Sequence, residues 1–234
     1  MEKYGIIGAM ESEVRALCNE LTNKEIVEYA GLSFSAGFLK GKEVVIVKSG
    51  IGKVNAALCA QDLILKFGVT KIINTGIAGA FAKGLEVFDF VVSTAAVYHD
   101  FDTTAFGYKI GQVPGLPEVF TADEALADTA VIAFAKTEFA KQHKVIKGIV
   151  ASGDQFISDS SKKKTIQQNF TPACVEMEGC AIAQTCYLNK VPFVIVRCMS
   201  DMADDTVEQT YAFNEDICAE ACACLVKKVI ELID

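Results

Sequence analysis

Carboxylates are the groups this sequence sets out for chemistry. Glu13 follows the apolar run Tyr4-Gly-Ile-Ile-Gly-Ala-Met10 within a few residues. Glu176 and Glu178 flank Met177 in Cys-Val-Glu-Met-Glu-Gly, and Asp201 follows Phe193-Val-Ile-Val-Arg-Cys-Met-Ser200. Acids held in different surroundings can divide a reaction between proton donor and base. Each also has a plain structural reading. Glu13 can complement a helix dipole, Glu176 and Glu178 can cap a helix start, and Asp201 can sit in a solvated turn. Other chemistries thin out quickly. With only His99 and His143, neither a zinc centre nor a Ser-His-Asp triad is expected. The nine cysteines form no CxxC pair and read as buried, reduced thiols. No metal and no cofactor is expected.

Glycine motifs are weaker still. Gly5 and Gly8 are spaced wrongly for a dinucleotide fingerprint. Ser49-Gly-Ile-Gly-Lys53-Val54 echoes the end of a P-loop, but Val54 stands where magnesium needs a hydroxyl. What remains there is a glycine turn at a helix start, able to receive an anion or a polar ligand atom.

The elements that must position these acids alternate between strand and helix. Apolar runs predict strands at 3–9, 25–30, 32–38, 43–48, 71–75, 89–97, 145–151, 174–175 and 193–199. Helical periodicity follows Glu11 and recurs at 53–67, 123–141, 160–168, 178–189 and 213–233. The stretch 98–120 holds aromatics, Gly and Pro without periodicity and reads as a long functional loop. The pattern predicts an α/β fold, a three-layer α/β/α sandwich around a mixed, largely parallel sheet. In such sheets ligands bind at the carboxyl ends of the strands. The acids and the turns Ser49–Gly52, Gly76–Gly79 and Ser152–Phe156 fall at those ends.

Composition agrees with one domain spanning 1–234. The chain is 51% hydrophobic and carries a net charge of −8, which disfavours nucleic acid and anionic membranes as partners. No apolar run reaches the roughly 20 residues of a membrane helix, and the N-terminus lacks a signal-peptide pattern. A soluble, cytoplasmic protein is expected.

Seven strings occur in order: MEKYGIIGAMESEV, KSGIGKVNAAL, INTGIAGA, YHDFDTTAFGYKIGQVPG, ASGDQFI, VEMEGCAIA and VRCMSDMAD. Together they resemble the 5′-methylthioadenosine/S-adenosylhomocysteine nucleosidases, which have a purine nucleoside phosphorylase fold. The resemblance runs from the first strand to at least Asp204. It implies metal-free hydrolysis of the N-glycosidic bond of adenine thionucleosides, with 5′-deoxyadenosine as a further candidate substrate. By resemblance Asp201 protonates the purine at N7, Glu13 polarises the attacking water, and Glu178 holds the ribose hydroxyls. Met177 packs beneath the sugar, Phe156 stacks on the purine, and Ile157 reads the adenine edge through its backbone. Ala78 and Ser200 belong to the purine pocket and Arg197 to the ribose side, with Gly79 and Glu176 also among the substrate-binding residues. Met10 and Ile51 line the 5′ end, capped by Phe213, or by Tyr211 if the alignment carries no gap. The resemblance also implies a homodimer, in which the partner's 98–120 loop brings Thr103, Phe106, Tyr108 and Pro114 to the 5′ pocket.

Three departures stand out. Ile77 replaces a common Ser, Phe88 replaces a glycine before Asp89, and Thr206–Ala212 is longer than expected. Two rivals remain at this point: a phosphorylase on the same fold, and a non-catalytic adenine-nucleoside sensor.

Overall fold

The computed structural model describes residues 2–204 and 207–233, and for 207–213 the backbone alone. In chain order the elements are β1 (Lys3–Gly8), α1 (Glu11–Asn19), β2 (Thr22–Tyr29), β3 (Leu32–Leu39), β4 (Lys42–Lys48), α2 (Lys53–Leu65), β5 (Lys71–Ala80) and β6 (Phe90–Tyr98). They continue with β7 (Phe120–Thr121), α3 (Glu124–Phe134), β8 (Val145–Ser152), α4 (Ser160–Phe170), β9 (Cys174–Glu176), α5 (Gly179–Asn189), β10 (Phe193–Asp201) and α6 (Val207–Leu232).

Strand alternation builds the layers. Ile6, Ile46 and Ile73 point to one side and pack with Val14 and Leu17 of α1, Ala130 of α3 and Val229 of α6. Ile7, Val45 and Ile72 point to the other and pack with Leu63 of α2 and Ile182 of α5. Each such fully buried aliphatic side chain contributes about 1.5–3 kcal/mol. The result is the expected sandwich with helices on both faces of a mixed sheet.

Strands β4, β1, β5 and β10 run parallel side by side, and β3 and β2 extend the far end as an antiparallel meander. At the near end the sheet closes on itself. β10 pairs with β6, β6 with β8, β8 with β9, and β9 returns to β5. This closure brings the ends of β5, β8, β9 and β10 together, and it is there that the acids converge.

Four elements differ from the sequence expectation: β2 starts at Thr22 instead of residue 25, α6 at Val207 instead of 213, and two others change toward their C-terminal ends. The strand predicted over 71–75 runs on to Ala80, so Gly76-Ile-Ala-Gly79 is extended strand and not a turn. The glycines are needed for approach: a Cβ on Gly76 would collide with the Glu13 carboxylate, and one on Gly79 would lie 2.7 Å from the Cβ of Ala203. The helix predicted over 123–141 ends at Phe134, followed by a 3₁₀ turn at Glu138–Lys141. The buried Thr137 hydroxyl donates to the Phe134 carbonyl at 2.7 Å and so terminates it.

Candidate active site

Glu13 occupies the first turn of α1, where the chain leaves β1. Its Oε2 accepts from the backbone N–H of Ala9 at 2.6 Å and of Met10 at 3.0 Å, and its Oε1 from Ile77 N–H at 3.0 Å. The side chain is buried, and burial pushes its pKa up against the pull of Arg197 and of those three N–H groups.

Glu176 and Glu178, two residues apart, have different tasks. Glu176 Oε2 accepts from Arg197 Nη2 at 2.5 Å and from the N–H groups of Glu178 and Gly179 at 3.1 and 2.8 Å. Its Oε1 accepts from the Ser152 hydroxyl. Arg197, wholly buried on β10, also donates to Asn74 Oδ1 at 2.5 Å. Glu176 and Arg197 thus form a fully enclosed ion pair, the arrangement in which removal of one partner leaves a costly bare charge. Glu178, at the N-terminus of α5, accepts only one protein hydrogen bond among the described residues, from Gly52 N–H at 2.8 Å. Gly52 adopts φ 99°, a backbone state open to glycine, which turns that N–H toward Glu178. Burial, with the neighbouring Glu176 next in weight, pushes the Glu178 carboxyl up to about 8. The polar atom awaited at the Ser49–Gly52 turn is therefore supplied by the protein itself, as Glu178 Oε1. Asp154 Oδ1 takes the adjacent Lys53 N–H at 2.8 Å.

Asp201 ends β10. Its Oδ2 accepts from the Ser200 hydroxyl at 2.7 Å and its Oδ1 from Ala203 N–H at 2.7 Å. It is buried, and burial raises its pKa against both hydrogen bonds; Asp204 adds to the rise and Lys163 opposes it. A carboxyl shifted upward is the state a proton donor needs.

One cleft joins these groups. Its wall includes Glu13, Glu176, Glu178 and Asp201 together with Met10, Ile51, Ala78, Gly79, Phe156, Ile157, Met177 and Ser200. Among the described residues it includes no lysine, arginine or histidine. Arg197 stands behind the wall, joined to it through Glu176. Thr103, Phe106, Tyr108 and Pro114 lie outside the cleft on the 98–120 loop. The side chains of Phe213 and Tyr211 fall outside the described residues.

Ala9, Gln155 and Val175 also line the cleft and carry no signal of their own in sequence. Asn74, which anchors Arg197, does carry one: it is an amide inside the apolar strand Lys71-Ile-Ile-Asn-Thr75. Ile77 lines the cleft and packs into the core beside α1 and α6, while its backbone N–H serves Glu13, so the loss of a serine hydroxyl there leaves the grip on Glu13 intact. Phe88 adopts φ 71°, which accounts for glycine being favoured at that position.

Residues 3–231 match the family model described as the Phosphorylase superfamily. The 5′-methylthioadenosine/S-adenosylhomocysteine nucleosidase of Exiguobacterium sp. is 48% identical over 214 residues, covering 91% of this chain and 90% of the relative. The crystal structure of the nucleosidase of that name from Neisseria meningitidis, in complex with methylthio-immucillin-A, superposes with a TM-score of 0.95 at 38% identity, covering 100% of both chains. The Colwellia psychrerythraea nucleosidase in complex with adenine gives a TM-score of 0.95 at 42% identity, covering 99% of this chain and 96% of that one. The chain belongs to the phosphorylase superfamily and, within it, to the 5′-methylthioadenosine/S-adenosylhomocysteine nucleosidases.

Proposed function

We propose that this protein hydrolyses the N-glycosidic bond of 5′-methylthioadenosine and S-adenosylhomocysteine, releasing adenine and the thioribose. The observation that carries the reading is a single cleft bearing four carboxylates and, among the described residues, no cation. Cleavage builds positive charge on the ribosyl ring, and fixed carboxylates stabilise it. Asp201, whose pKa burial raises, protonates purine N7 so that adenine leaves neutral. Glu13 polarises the attacking water from the far side of the sugar, and Glu178 accepts hydrogen bonds from the ribose hydroxyls. Two acids on opposite sides of the scissile bond parallel the inverting glycosidases.

The same charge pattern argues against phosphorolysis. A phosphate would enter beside Glu13, and one such negative charge at 4 Å costs about 4 kcal/mol at an effective dielectric constant of 20. Arg197 cannot offset it, because its Nη2 is engaged by Glu176 and Asn74.

The whole chain acts as one domain, and two copies assemble. Val54 (71% exposed), Leu58, Leu188 and Tyr187 expose apolar surface on the paired helices α2 and α5. The groove there is also lined by Phe101 and Val113 of the 98–120 loop. Burying this face against a second copy supports delivery of Thr103, Phe106, Tyr108 and Pro114 to the partner's 5′ pocket. Nine unpaired thiols support a reducing, cytoplasmic location.

Product analysis with 5′-methylthioadenosine tests the reading. Free adenine and methylthioribose are expected at equal rates with and without phosphate. Turnover only with phosphate, giving the sugar 1-phosphate, would make the protein a phosphorylase, and binding without cleavage would make it a sensor.

A further inference from the structure

Helix α6 carries polar groups that the reaction as described does not use. Asn214, Cys218 and Cys222 are four residues apart and so share one face of the helix. All three are buried, and each donates to a strand carbonyl next to the site. Asn214 Nδ2 reaches Ser200 O at 2.9 Å, Cys218 Sγ reaches Met199 O at 3.4 Å, and Cys222 Sγ reaches Gly76 O at 3.0 Å.

Cys222 differs in what lies across the peptide. The Gly76 carbonyl and the Ile77 N–H belong to one planar group, and that N–H donates to Glu13 Oε1 at 3.0 Å. Thiol, peptide and carboxylate therefore form a continuous chain of hydrogen bonds. A donor on the carbonyl polarises the peptide and strengthens its N–H as a donor, more so in a low-dielectric interior. The peptide is pressed against the carboxylate, since even a Cβ on Gly76 would collide with it.

We propose that Cys222 is a positioning residue for the base, its thiol acting through the Gly76–Ile77 peptide to hold Glu13 ionised and fixed. The inference rests on the reading of Glu13 as the group that polarises water. Burial pushes the Cys222 thiol up to about 12, so Sγ keeps the proton the bond requires. The other charged groups facing Glu13 are Arg197 from β10, which favours the carboxylate, and Glu178 from the start of α5, which opposes it. Glu215 of α6 meets α1 one residue away, at Ser12.

The test follows the Glu13 carboxyl by NMR titration of glutamate-labelled protein, assigned with Glu13→Gln, alongside the pH profile of kcat/KM. In Cys222→Ala the Ile77 N–H becomes a poorer donor and the carboxylate loses support. The Glu13 midpoint then moves up by about half a pH unit. The acidic limb of kcat/KM moves with it, and kcat falls about threefold while KM holds. Cys222→Val, which fills the space without a donor, gives the same result. Cys222→Ser restores both readouts, because a hydroxyl donates. Cys218→Ala removes an equally buried thiol from the same face and leaves the Glu13 midpoint in place. An unchanged midpoint in both Cys222→Ala and Cys222→Val, or an equal shift in Cys218→Ala, overturns the relay. Wild-type turnover in Glu13→Gln would overturn the base assignment instead, and the NMR midpoint would still decide whether the relay exists.

Discussion

At the floor of the cleft every carboxylate is tied to the protein by at least one hydrogen bond, and Glu176 accepts four. At the rim, Ile51 is 54% exposed, Phe156 51% and Phe106, on the loop outside, 80%. The floor is held by side chains from α1, β5, β9 and β10 that the sheet closure forces together. The rim consists of apolar residues outside the α-helices and strands of the sheet, half or more exposed. Reacting groups must stand in place before substrate arrives, because transition-state charge is stabilised best by dipoles that do not reorganise. Apolar contacts to the purine face and the 5′ group need only close on binding, and a second copy can supply part of them.

The sharpest way to break this division is at Asp201. Asp201→Asn keeps the shape and the Ser200 and Ala203 neighbours but removes the acid. Turnover is expected to fall by about 10²–10⁴ with KM little changed. A KM defect without a kcat defect would assign Asp201 to the rim. Phe156→Ala tests the other side. Loss of a base-stacking ring costs about 1–3 kcal/mol, so KM rises by roughly five- to 150-fold while kcat stays near wild type. A collapse of kcat at Phe156 would merge the two regions.

The smallest effect concerns pH and stability. Glu178 is raised in the folded protein to about 8, above the roughly 4.3 of an unfolded glutamate. Between those values the native state holds a proton that the unfolded chain has released. Its contribution to stability is present at low pH and is lost as pH rises toward 8. Glu13 and Asp201, also raised, act with the same sign. Melting temperature should therefore decline from about pH 5 to 8, and Glu178→Gln should flatten that decline. Parallel curves would show that Glu178 is not the group held neutral.

The sequence discloses these regions unequally. Glu13 is legible only through the family resemblance, because an acid in the first turn of a helix can equally complement the helix dipole. Glu176 and Glu178 look interchangeable in Glu-Met-Glu, and their split depends on Arg197 and Ser152, more than twenty residues away in opposite directions along the chain. Gly76 and Gly79 suggest a turn by composition, yet their strand continues because closure of the sheet needs bare backbone against Glu13 and Ala203. The start of β2, Thr22-Asn-Lys-Glu, is too polar to announce a strand and is held by pairing with β3. Cys222 sits at an apolar helix position, where its donor is hidden until β5 is laid beside it.

In the proposed reaction water, activated at the floor, attacks the sugar. Cleavage of 5′-methylthioadenosine in water enriched in oxygen-18, with phosphate present, tests it most directly. Label is expected at C1 of the released methylthioribose with none in adenine, whereas unlabelled methylthioribose 1-phosphate would show that phosphate, not water, attacks.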